Sequence, residues 1–568
     1  MGLLERFLHP LTQMLRYSSK IRNYIKIKYE EFLLERPYIG NQFDYIFRLW
    51  RKERAVVIKA PTGAGKTRFV IRVIASWAMS KKKNILIITN RSPLNISYKK
   101  EVAKITGLAN CYTDEGLQQI CEFGNIFIVN YQGLESFIAS HQHIDFSYVI
   151  CDECHYFIQD ASFSDCTGFA LDIIPKEFVN AVRIYISATI DKVLPYITRA
   201  ELYDCSVDDE GYCWCTECKS GRVYSVDNLI PIVYKMNSDY SKVRVQFFED
   251  NEYLIEFLKN QTSKVMAFCD SKKECFDFAD SMGEGLVIYS EFLHDNPDTL
   301  KELIEKESFN KKCMCSTTVF SNGNNICDKS VKSLVITLTD PTEIVQMAGR
   351  RRLDYSDEND GFTLYLKIPE PGHIMQKIIR IKNLQEEIDK CKQNYVYLLD
   401  IIKDGNDKMA NIIRSIFRVN RQTQKYEINY LCEEKLYSDL YYLEYIYALI
   451  KESGKEAYCK MVSRLFDKEF DADMIFGSLE LRKNELSEFI REYGFPLTPG
   501  QFEEFCEDFL SERIRLIGSC KADNFGSNRK TPASKSINNR LAELDLGIEI
   551  VRENNMYYIK ENTDEVIL

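Results

Sequence analysis

The 568-residue chain is 45% apolar and 28% charged, so it is too long for one hydrophobic core and too apolar to remain unfolded. Its formal net charge of -10 and pI near 5.5 exclude a protein that coats nucleic acid by bulk charge, so any nucleic-acid surface must be local. The 19 cysteines fall inside apolar runs, no apolar stretch approaches the roughly twenty residues that span a bilayer, and the N-terminus lacks the pattern of a signal peptide. We therefore expect a reduced, cytoplasmic protein with no membrane partner.

Two α/β lobes are predicted, at 36–200 and 246–370, after an N-terminal helical segment at 1–35. In the first lobe, short apolar runs rich in β-branched residues (AVVIKA, ILIIT, IFIVN, YVICDE, IYISAT) alternate with helical patterns, which is typical of a parallel sheet. A second set of such runs begins near residue 264 and ends at 366. The pattern breaks at 201–245, so we expect a cysteine-containing insertion or linker there.

Helices are predicted to replace strands after Pro371. Apolar residues recur at three- and four-residue spacings over 374–402, so we expect a helical region at 371–490 with a heptad-like segment. We interpret this seam as packing within the chain, with dimerisation as the alternative. The segment 491–568 reads as a helix, a strand, an Asn-Asn turn and a strand, which favours a winged helix. DNA binding, protein docking and simple packing remain open as its role.

A phosphate loop follows the first apolar strand. Residues 60–67 read APTGAGKT and are followed by a helical pattern. Glycine N–H groups and a helix N-terminus bind phosphate, the lysine reaches the β- and γ-phosphates, and the hydroxyl ligates Mg²⁺. The segment therefore predicts ATP and Mg²⁺ as ligands. Its predicted ATP-binding residues are Thr62, Gly63, Ala64, Gly65, Lys66 and Thr67, of which Thr67 is also a magnesium ligand.

Two carboxylates follow the apolar strand at 148–151. Asp152 would hold magnesium, and Glu153 would position and deprotonate the water that attacks the γ-phosphate. An isolated Asp-Glu pair is more often a solvated surface. Its position after an apolar strand, at the sheet edge that carries the phosphate loop, favours catalysis.

The loop APTGAGKT and the box DECH resemble motifs I and II of the superfamily 2 DExH-box helicases. The resemblance implies an α/β fold with two tandem RecA-like parallel-sheet lobes and an ATPase that acts on nucleic acid. Further segments of the first lobe at 89–91 (TNR), 130–133 (NYQG) and 187–189 (SAT) resemble motifs of the same family. The residues implied in coupling are His155, Ser187 and Thr189, and those implied in nucleic-acid contact are Asn90, Arg91, Tyr131 and Gln132.

The second lobe carries three more segments of this resemblance. Residues 268–271 (FCDS) resemble motif IV, 317–328 (TTVFSNGNNICD) motif V and 346–352 (QMAGRRR) motif VI. Motif VI implies that Gln346 faces the γ-phosphate and that Arg350 is an arginine finger. The family's second arginine lies three residues further, where this chain has Leu353, so Arg352 is taken as its substitute. The other implied residues are Ser271 and Thr317 for nucleic acid and Gly323 and Asp328 for ATP.

Two further candidate sites lie outside these motifs. Gln42 stands upstream of the phosphate loop, where it would either read the adenine or cap a helix. The C-x-C-x-x-C spacing in the break between the lobes, with one more cysteine upstream, suggests either a structural Zn²⁺ site or ordinary reduced cysteines. The candidate zinc ligands are Cys205, Cys213, Cys215 and Cys218.

The motifs predict an ATP-dependent helicase or translocase in replication, repair or anti-phage defence. DNA is favoured over RNA as its partner, because the winged helix predicted at the C-terminus suits duplex DNA. One alternative is a nucleic-acid sensor that signals without unwinding. Another is a motor subunit of a defence or restriction complex, in which a partner supplies a nuclease.

Overall fold

The computed structural model describes residues 29–561 apart from 36–37, 91, 109–112, 203–205, 208–211, 215–223, 226–228, 291, 293–295, 322–324, 405–407, 421–422, 478 and 518–533. The strands are Glu30–Leu33 (β1), Val56–Lys59 (β2), Ile85–Thr89 (β3), Glu122–Phe123 (β4), Ile126–Asn130 (β5), Tyr148–Asp152 (β6), Val182–Ser187 (β7), Ser206–Val207 (β8), Tyr212–Trp214 (β9), Tyr224–Ser225 (β10), Ile232–Lys235 (β11), Val243–Phe248 (β12), Lys264–Phe268 (β13), Gly285–Ile288 (β14), Cys313–Ser316 (β15), Val331–Ile336 (β16), Phe362–Lys367 (β17), Phe417–Val419 (β18), Tyr426–Ile428 (β19), Ile475–Phe476 (β20), Ile548–Glu553 (β21) and Met556–Glu561 (β22).

The helices are numbered in the same way. A first long helix, α2, consists of three consecutive segments, Lys66–Arg68, the π-helical Phe69–Ala75 and Ser76–Lys81. The other helices are Ile39–Phe43 (α1), Ser92–Ile105 (α3), Asp114–Gln119 (α4), Leu134–Ser140 (α5), Tyr156–Gln159 (α6), Thr167–Glu177 (α7), Leu194–Glu201 (α8), Asn251–Asn260 (α9), Lys272–Ser281 (α10), Pro297–Lys306 (α11), Pro341–Ala348 (α12), Pro371–Gln393 (α13), Tyr395–Asp404 (α14), Lys408–Ile416 (α15), Tyr430–Ser453 (α16), Lys455–Ser463 (α17), Leu479–Glu492 (α18), Pro499–Ile517 (α19) and Ser534–Glu543 (α20). In the described part of the chain, no helix is long and apolar enough to cross a membrane.

The first lobe is built on an eight-stranded sheet in the order β1-β11-β2-β7-β6-β3-β5-β4. Its strand pairs are parallel except that of β4 with β5. β2, β3, β6 and β7 are buried almost throughout, as expected of strands with helices on both faces. The parallel order brings the carboxyl ends of β2, β6, β7 and β3 to one edge, where the phosphate loop and the acidic box emerge.

Two strands of the first sheet lie outside the predicted boundaries of 36–200. β1 lies in the segment predicted to be helical, and β11 lies in the segment predicted as insertion or linker. Both pair in parallel register, with Glu30 opposite Ile232 and Ile232 opposite Val56. A four-residue strand has too little periodicity to be recognised locally, and here the pairing across long sequence separations determines the conformation.

The predicted zinc ligands fall largely outside the described residues. Strands β8, β9 and β10 form a small antiparallel sheet within the insertion. Cys205, Cys215 and Cys218 lie outside the described residues, and only the backbone of Cys213, on β9, is described. The zinc site therefore stays a prediction.

The second lobe is a seven-stranded parallel sheet in the order β14-β15-β13-β16-β17-β12-β20. Its last strand, β20, comes from the region predicted to be helical. Together the two sheets confirm the predicted α/β fold with two tandem RecA-like lobes and a mostly helical region after them.

The long helices α13 and α16 pack along each other and connect the cores of both lobes. The first turns of α13, with Ile374 and Ile378, lie in the core of the second lobe, whereas Ile388 and Cys391 lie in that of the first. α16 runs the other way, from Leu431 in the first core to residues around Ile446 in the second. The heptad-like seam is thus occupied within the chain, as interpreted from the sequence. We call α13 and α16 the bridging helix pair.

The C-terminal domain has its own core, formed by α18, α19, α20 and the antiparallel ribbon β21–β22. An isolated bridge between Leu497 and Tyr557 adds a third strand position to the ribbon. The helices followed by a ribbon have the order predicted for a winged helix. The domain docks on the second lobe, where Arg482 lies 2.9 Å from Asp250 and the Tyr253 hydroxyl donates to Glu485 at 3.0 Å.

Candidate functional site

The phosphate loop connects β2 to α2 and has the backbone that phosphate binding requires. Gly63 and Gly65 have φ of +92° and +79°, a region that side chains disfavour, so only glycine adopts this turn without strain. Lys66 begins α2 and is buried, with its ammonium donating to the Ala60 carbonyl at 3.2 Å and lying 3.8 Å from Glu153. An ammonium held inside the loop in this way is available to the phosphates of ATP.

The carboxylate of Asp152 lies at the end of β6 and is almost fully buried. The Tyr98 hydroxyl donates to its Oδ2 at 2.7 Å and also interacts with Thr67, whereas its Oδ1 has no hydrogen-bond partner among the described residues. Burial and the neighbouring charge of Glu153 raise the pKa of Asp152 to about 6. A buried carboxylate oxygen without a partner, beside a threonine hydroxyl, fits a hard divalent cation such as Mg²⁺. Tyr98, which the sequence did not single out, positions this carboxylate.

Glu153 is held in a strained conformation next to the phosphate loop. Its φ of +49° is uncommon for a residue with a side chain, and such strain is characteristic of functional sites. Its carboxylate lies 3.8 Å from Lys66 and 3.2 Å from Nδ1 of His155. Burial alone would raise the pKa of Glu153, but these neighbours outweigh it and hold the pKa below its usual value. The carboxylate is thus ionised, as a group that accepts a proton must be.

A chain of polar contacts runs from Glu153 across the cleft between the lobes. Nδ1 of His155 also lies 2.8 Å from the Ser187 hydroxyl, which accepts from the backbone N–H of Thr189 at 3.1 Å. The Thr189 hydroxyl in turn accepts from the side-chain amide of Gln346 at 2.8 Å. All the residues predicted for coupling therefore lie in one chain that ends on motif VI of the opposite lobe.

The three consecutive arginines of motif VI point in different directions. Ile326 bonds to the backbone of Arg350 and Arg352 at 2.9 and 2.8 Å, and this short bridge makes the segment extended. Because side chains alternate along extended backbone, Arg350 and Arg352 share one side and Arg351 takes the other. Arg351 is fully paired with Asp360 inside the second lobe.

Arg350 and Arg352 both face the phosphate loop and the acidic box. Arg350 is 3% exposed, and burial lowers its pKa to about 10 although Glu153 acts in the opposite sense. A Cβ placed on Gly63 would lie 2.9 Å from the Arg352 guanidinium, so Arg352 extends over the phosphate loop. The structure thus places a second arginine at the loop with a spacing of two residues, where the family pattern has three.

Direct contacts hold the lobes together around the site. The Thr62 hydroxyl of the phosphate loop donates to the Gly349 carbonyl at 3.2 Å. Lys192 forms an ion pair with Asp340 at 2.5 Å, and Gln159 donates to Glu343 at 3.2 Å. These contacts hold the cleft closed in this structure.

The residues predicted to contact nucleic acid differ in their accessibility. Gln132, Ser271 and Thr317 have at least partly exposed side chains at the carboxyl edges of the two sheets, and the Ser271 hydroxyl caps α10 by accepting from Glu274 N–H at 3.1 Å. Asn90 is buried, and neither atom of its amide group has a hydrogen-bond partner among the described residues. Arg91 lies outside the described residues.

Tyr131, which was predicted to contact nucleic acid, is buried in the structure. It is 1% exposed, its ring stacks on Tyr156 at 4.7 Å, and its hydroxyl donates to the Asp152 carbonyl at 2.9 Å. This buried tyrosine therefore holds the backbone of the acidic box in place through the hydrogen bond of its hydroxyl group. The sequence pattern of a strand end does not distinguish this inward orientation from an outward one.

Asp328, which was predicted to bind ATP, lies at the edge of the second sheet that is opposite the carboxyl ends of its strands. Its carboxylate pairs with Lys264 at 2.8 Å, and Lys264 is the first residue of β13, at the sheet edge opposite the carboxyl ends. The ion pair and hydrogen bonds from Ser330 lower the pKa of Asp328 despite partial burial. Asn325, three residues earlier, has a buried side-chain oxygen without a partner among the described residues and directly precedes the residue that bridges motif VI. Gly323 lies outside the described residues.

Gln42 lies on α1, a helix attached to the phosphate loop. The backbone N–H of Ile39, the first residue of α1, donates to the Ala64 carbonyl at 3.1 Å. Tyr38 lies beside Gly65, since a Cβ on that glycine would be 3.6 Å from its ring. Gln42 itself is half-buried, and its adenine role stays a prediction.

The family model described as "Type III restriction enzyme, res subunit" matches residues 17–192, which include most of the first lobe. No curated protein sequence matches the chain. With the ordered motifs and the two-lobe fold, the family match confirms the resemblance to superfamily 2 helicases, whereas the DECH-box subtype stays a prediction.

Solved structures of helicases resemble this chain only distantly. They include the DEAD-box helicase Mss116 bound to ssRNA and UDP-BeF, with 12% identity, a TM-score of 0.42 and coverage of 62% of this chain and 82% of that chain. The Mycobacterium smegmatis helicase Lhr bound to ssDNA and AMP-PNP has 10% identity and a TM-score of 0.40, with coverage of 72% and 60%. The DUF1998 helicase MrfA bound to DNA has 16% identity and a TM-score of 0.41, with coverage of 70% and 54%. This chain thus spans less than two thirds of the length of the last two structures.

Proposed function

Since the chain carries the two lobes of a superfamily 2 helicase, we propose that it hydrolyses ATP between them and uses the energy to move along nucleic acid. The observation that carries the proposal is the polar chain from Glu153 through His155, Ser187 and Thr189 to Gln346. It joins the group beside the phosphate loop to the opposite lobe. A change at the γ-phosphate would therefore alter the contact between Thr189 and Gln346, which joins the two lobes.

Each group of the site has a distinct task in hydrolysis. Lys66, Arg350 and Arg352 neutralise the charge that develops on the transferred phosphoryl group. Glu153, kept ionised by its cationic neighbours, orients the attacking water and accepts its proton. Asp152 and Thr67 would hold Mg²⁺, which supplies Lewis-acid neutralisation of the phosphate oxygens. Release of phosphate removes the anion that Lys66, Arg350 and Arg352 hold between the lobes, and the lobes then separate.

Nucleic acid would bind along the carboxyl edges of the two sheets, at Gln132, Ser271 and Thr317. These positions belong to both lobes, so opening and closing of the cleft changes their separation and shifts the strand. Contacts of this kind address the backbone, not the base sequence. We propose DNA as the substrate because the C-terminal helices and ribbon have the order of a winged helix.

The ATPase rate of the purified chain, compared across single-stranded DNA, duplex DNA and RNA, tests this function. We expect stimulation that is greatest with DNA, and no activity in Glu153→Gln. A rate that no nucleic acid changes would contradict the proposal. A strand-displacement assay then separates unwinding from translocation or sensing, because a sensor shows stimulated ATP hydrolysis without a displaced strand.

A second candidate function is supported by the family match. Because that family is described as the res subunit of a type III restriction enzyme, this chain would act as the motor of a larger restriction or defence assembly. Co-purification of a nuclease subunit from the native host would favour this function over a motor that acts alone.

A further inference from the structure

The outer edge of the second lobe carries a cluster of aromatic rings beside the predicted nucleic-acid contacts. β14 is the edge strand of the second sheet and is followed directly by Tyr289. The carboxyl end of β14 is fixed to the neighbouring strand, because the Ile288 carbonyl accepts from the Ser316 hydroxyl at 3.1 Å and from the Thr317 N–H at 3.3 Å. Tyr289 is therefore a neighbour of Thr317.

Three rings and one ammonium group make up the cluster. The Tyr289 ring lies 5.6 Å from that of Phe276 and 6.1 Å from that of Phe292, between centroids. The Nζ of Lys272 lies 3.9 Å from the centroid of the Tyr289 ring, within the range of a cation–π contact. Lys272 directly follows Ser271, so the cluster adjoins predicted contacts on two strand ends. We call these four residues the aromatic step.

Lys272, Phe276 and Tyr289 lie outside the core of the lobe, whereas Phe292 packs against that core from its surface. On α10 the buried residues are Cys275, Phe278 and Ala279, whereas Lys272 and Phe276, one helical turn apart, are on an exposed face. Phe276 is 38% exposed, and the rings of Tyr289 and Phe292 are partly exposed. Packing alone does not account for exposed rings held against a lysine at the edge of a binding surface.

We propose that the aromatic step stacks an unpaired base of the bound strand, while Lys272 neutralises an adjacent phosphate. Every base has a π-face, so such a contact tolerates any sequence but requires a base that is not in a duplex. The inference rests on the proposed function and extends it, because it specifies single-stranded nucleic acid as the form held by the second lobe.

Binding of a single-stranded oligonucleotide that contains 2-aminopurine tests the aromatic step. Wild-type protein should quench the fluorescence of the probe at one position by stacking. Tyr289→Ala and Phe276→Ala should each weaken binding about tenfold, within the roughly fivefold to hundredfold range of a lost base–aromatic contact, and should relieve the quench. Tyr289→Phe keeps the ring and should retain both. Lys272→Gln should reduce the dependence of affinity on salt by about one phosphate contact.

Phe257→Ala is the matched control. Phe257 is 37% exposed on α9 and packs on Phe476 of β20, the strand at the opposite edge of the same sheet. The Phe257→Ala variant should bind the oligonucleotide with the affinity and the quench of the wild-type protein. Unchanged affinity and quench in Tyr289→Ala and Phe276→Ala, with normal binding by wild type, would overturn the aromatic step alone. A wild-type protein that binds no nucleic acid would overturn the proposed function and the aromatic step together.

Discussion

Replacement of Arg350 with methionine tests whether this arginine is kept for catalysis, because the structure predicts opposite effects on activity and stability. Arg350 is 3% exposed, and burial lowers its pKa well below the usual value, to about 10. At about 1.4 kcal/mol for each tenfold change, holding this charge costs on the order of 3 kcal/mol. Loss of side-chain packing offsets about half of that. The unfolding free energy of the nucleotide-free variant should therefore rise by about 1 kcal/mol or stay unchanged.

The activity of Arg350→Met should fall by about a thousandfold or more, as expected when an arginine finger is removed. Arg351→Met is the matched control, since Arg351 is equally buried and its ion pair with Asp360 lies inside the second lobe, on the other side of the segment from the phosphate loop. Its loss leaves a buried carboxylate without a partner and should cost about 3–5 kcal/mol. Urea unfolding of both variants, together with their ATPase rates, provides the comparison. If Arg350→Met were as unstable as Arg351→Met, Arg350 would be a structural residue and the assignment would be refuted.

Three further variants probe the cleft. Thr189→Val breaks the 2.8 Å bond from Gln346 and should lower nucleic-acid-stimulated ATP hydrolysis severalfold more than the basal rate; equal losses would argue against coupling. Lys192→Met removes the ion pair with Asp340 and should raise the KM for ATP about threefold to tenfold in steady-state assays, whereas an unchanged KM would mean that the pair does not hold the cleft closed. Burial and the charge of Asp340 raise the pKa of Glu343 from 4.5 to about 7, so the stability due to its protonated form is present below pH 4.5 and is lost as the pH rises through 7. Glu343→Gln should consequently raise the unfolding free energy at pH 8 by on the order of 3 kcal/mol and raise it much less at pH 5; the opposite dependence would be inconsistent with this carboxyl being protonated.

The features that could be predicted from the sequence are those in which a short segment determines its own conformation. The loop at 60–67 needs only a strand before it, a helix after it and glycines where φ is positive, and all of these are local. The acidic pair at the end of β6 could also be predicted locally. A buried parallel strand places the residues at its carboxyl end on the same sheet edge as the phosphate loop. The bounds of the sheets were less predictable. β1, β11 and β20 each depend on partners far away in sequence.

Side-chain direction accounts for most of the other differences. Tyr131 follows a strand end, where a tyrosine often contacts a ligand. In the folded lobe, however, its ring packs inside against Tyr156. Asp328 was predicted as an ATP ligand because the sequence does not show its ion pair with Lys264, which lies 64 residues earlier. Arg352 lies over the phosphate loop because the segment is extended, which sequence spacing alone does not reveal. Likewise, an amphipathic seam predicts that α13 packs against something, but not that it joins both lobes.

The most direct test of the central claim is the thermodynamic coupling between ATP and a single strand. The Glu153→Gln variant, which should bind ATP without hydrolysing it, allows the affinity for a fluorescent oligonucleotide to be measured with ATP, with ADP and without nucleotide. Because binding linkage is reciprocal, the strand must change the affinity for ATP by the same factor by which ATP changes the affinity for the strand. The account predicts equal factors of about fivefold or more. Identical affinity for the strand in all nucleotide states would contradict it, because the polar chain across the cleft would then transmit nothing.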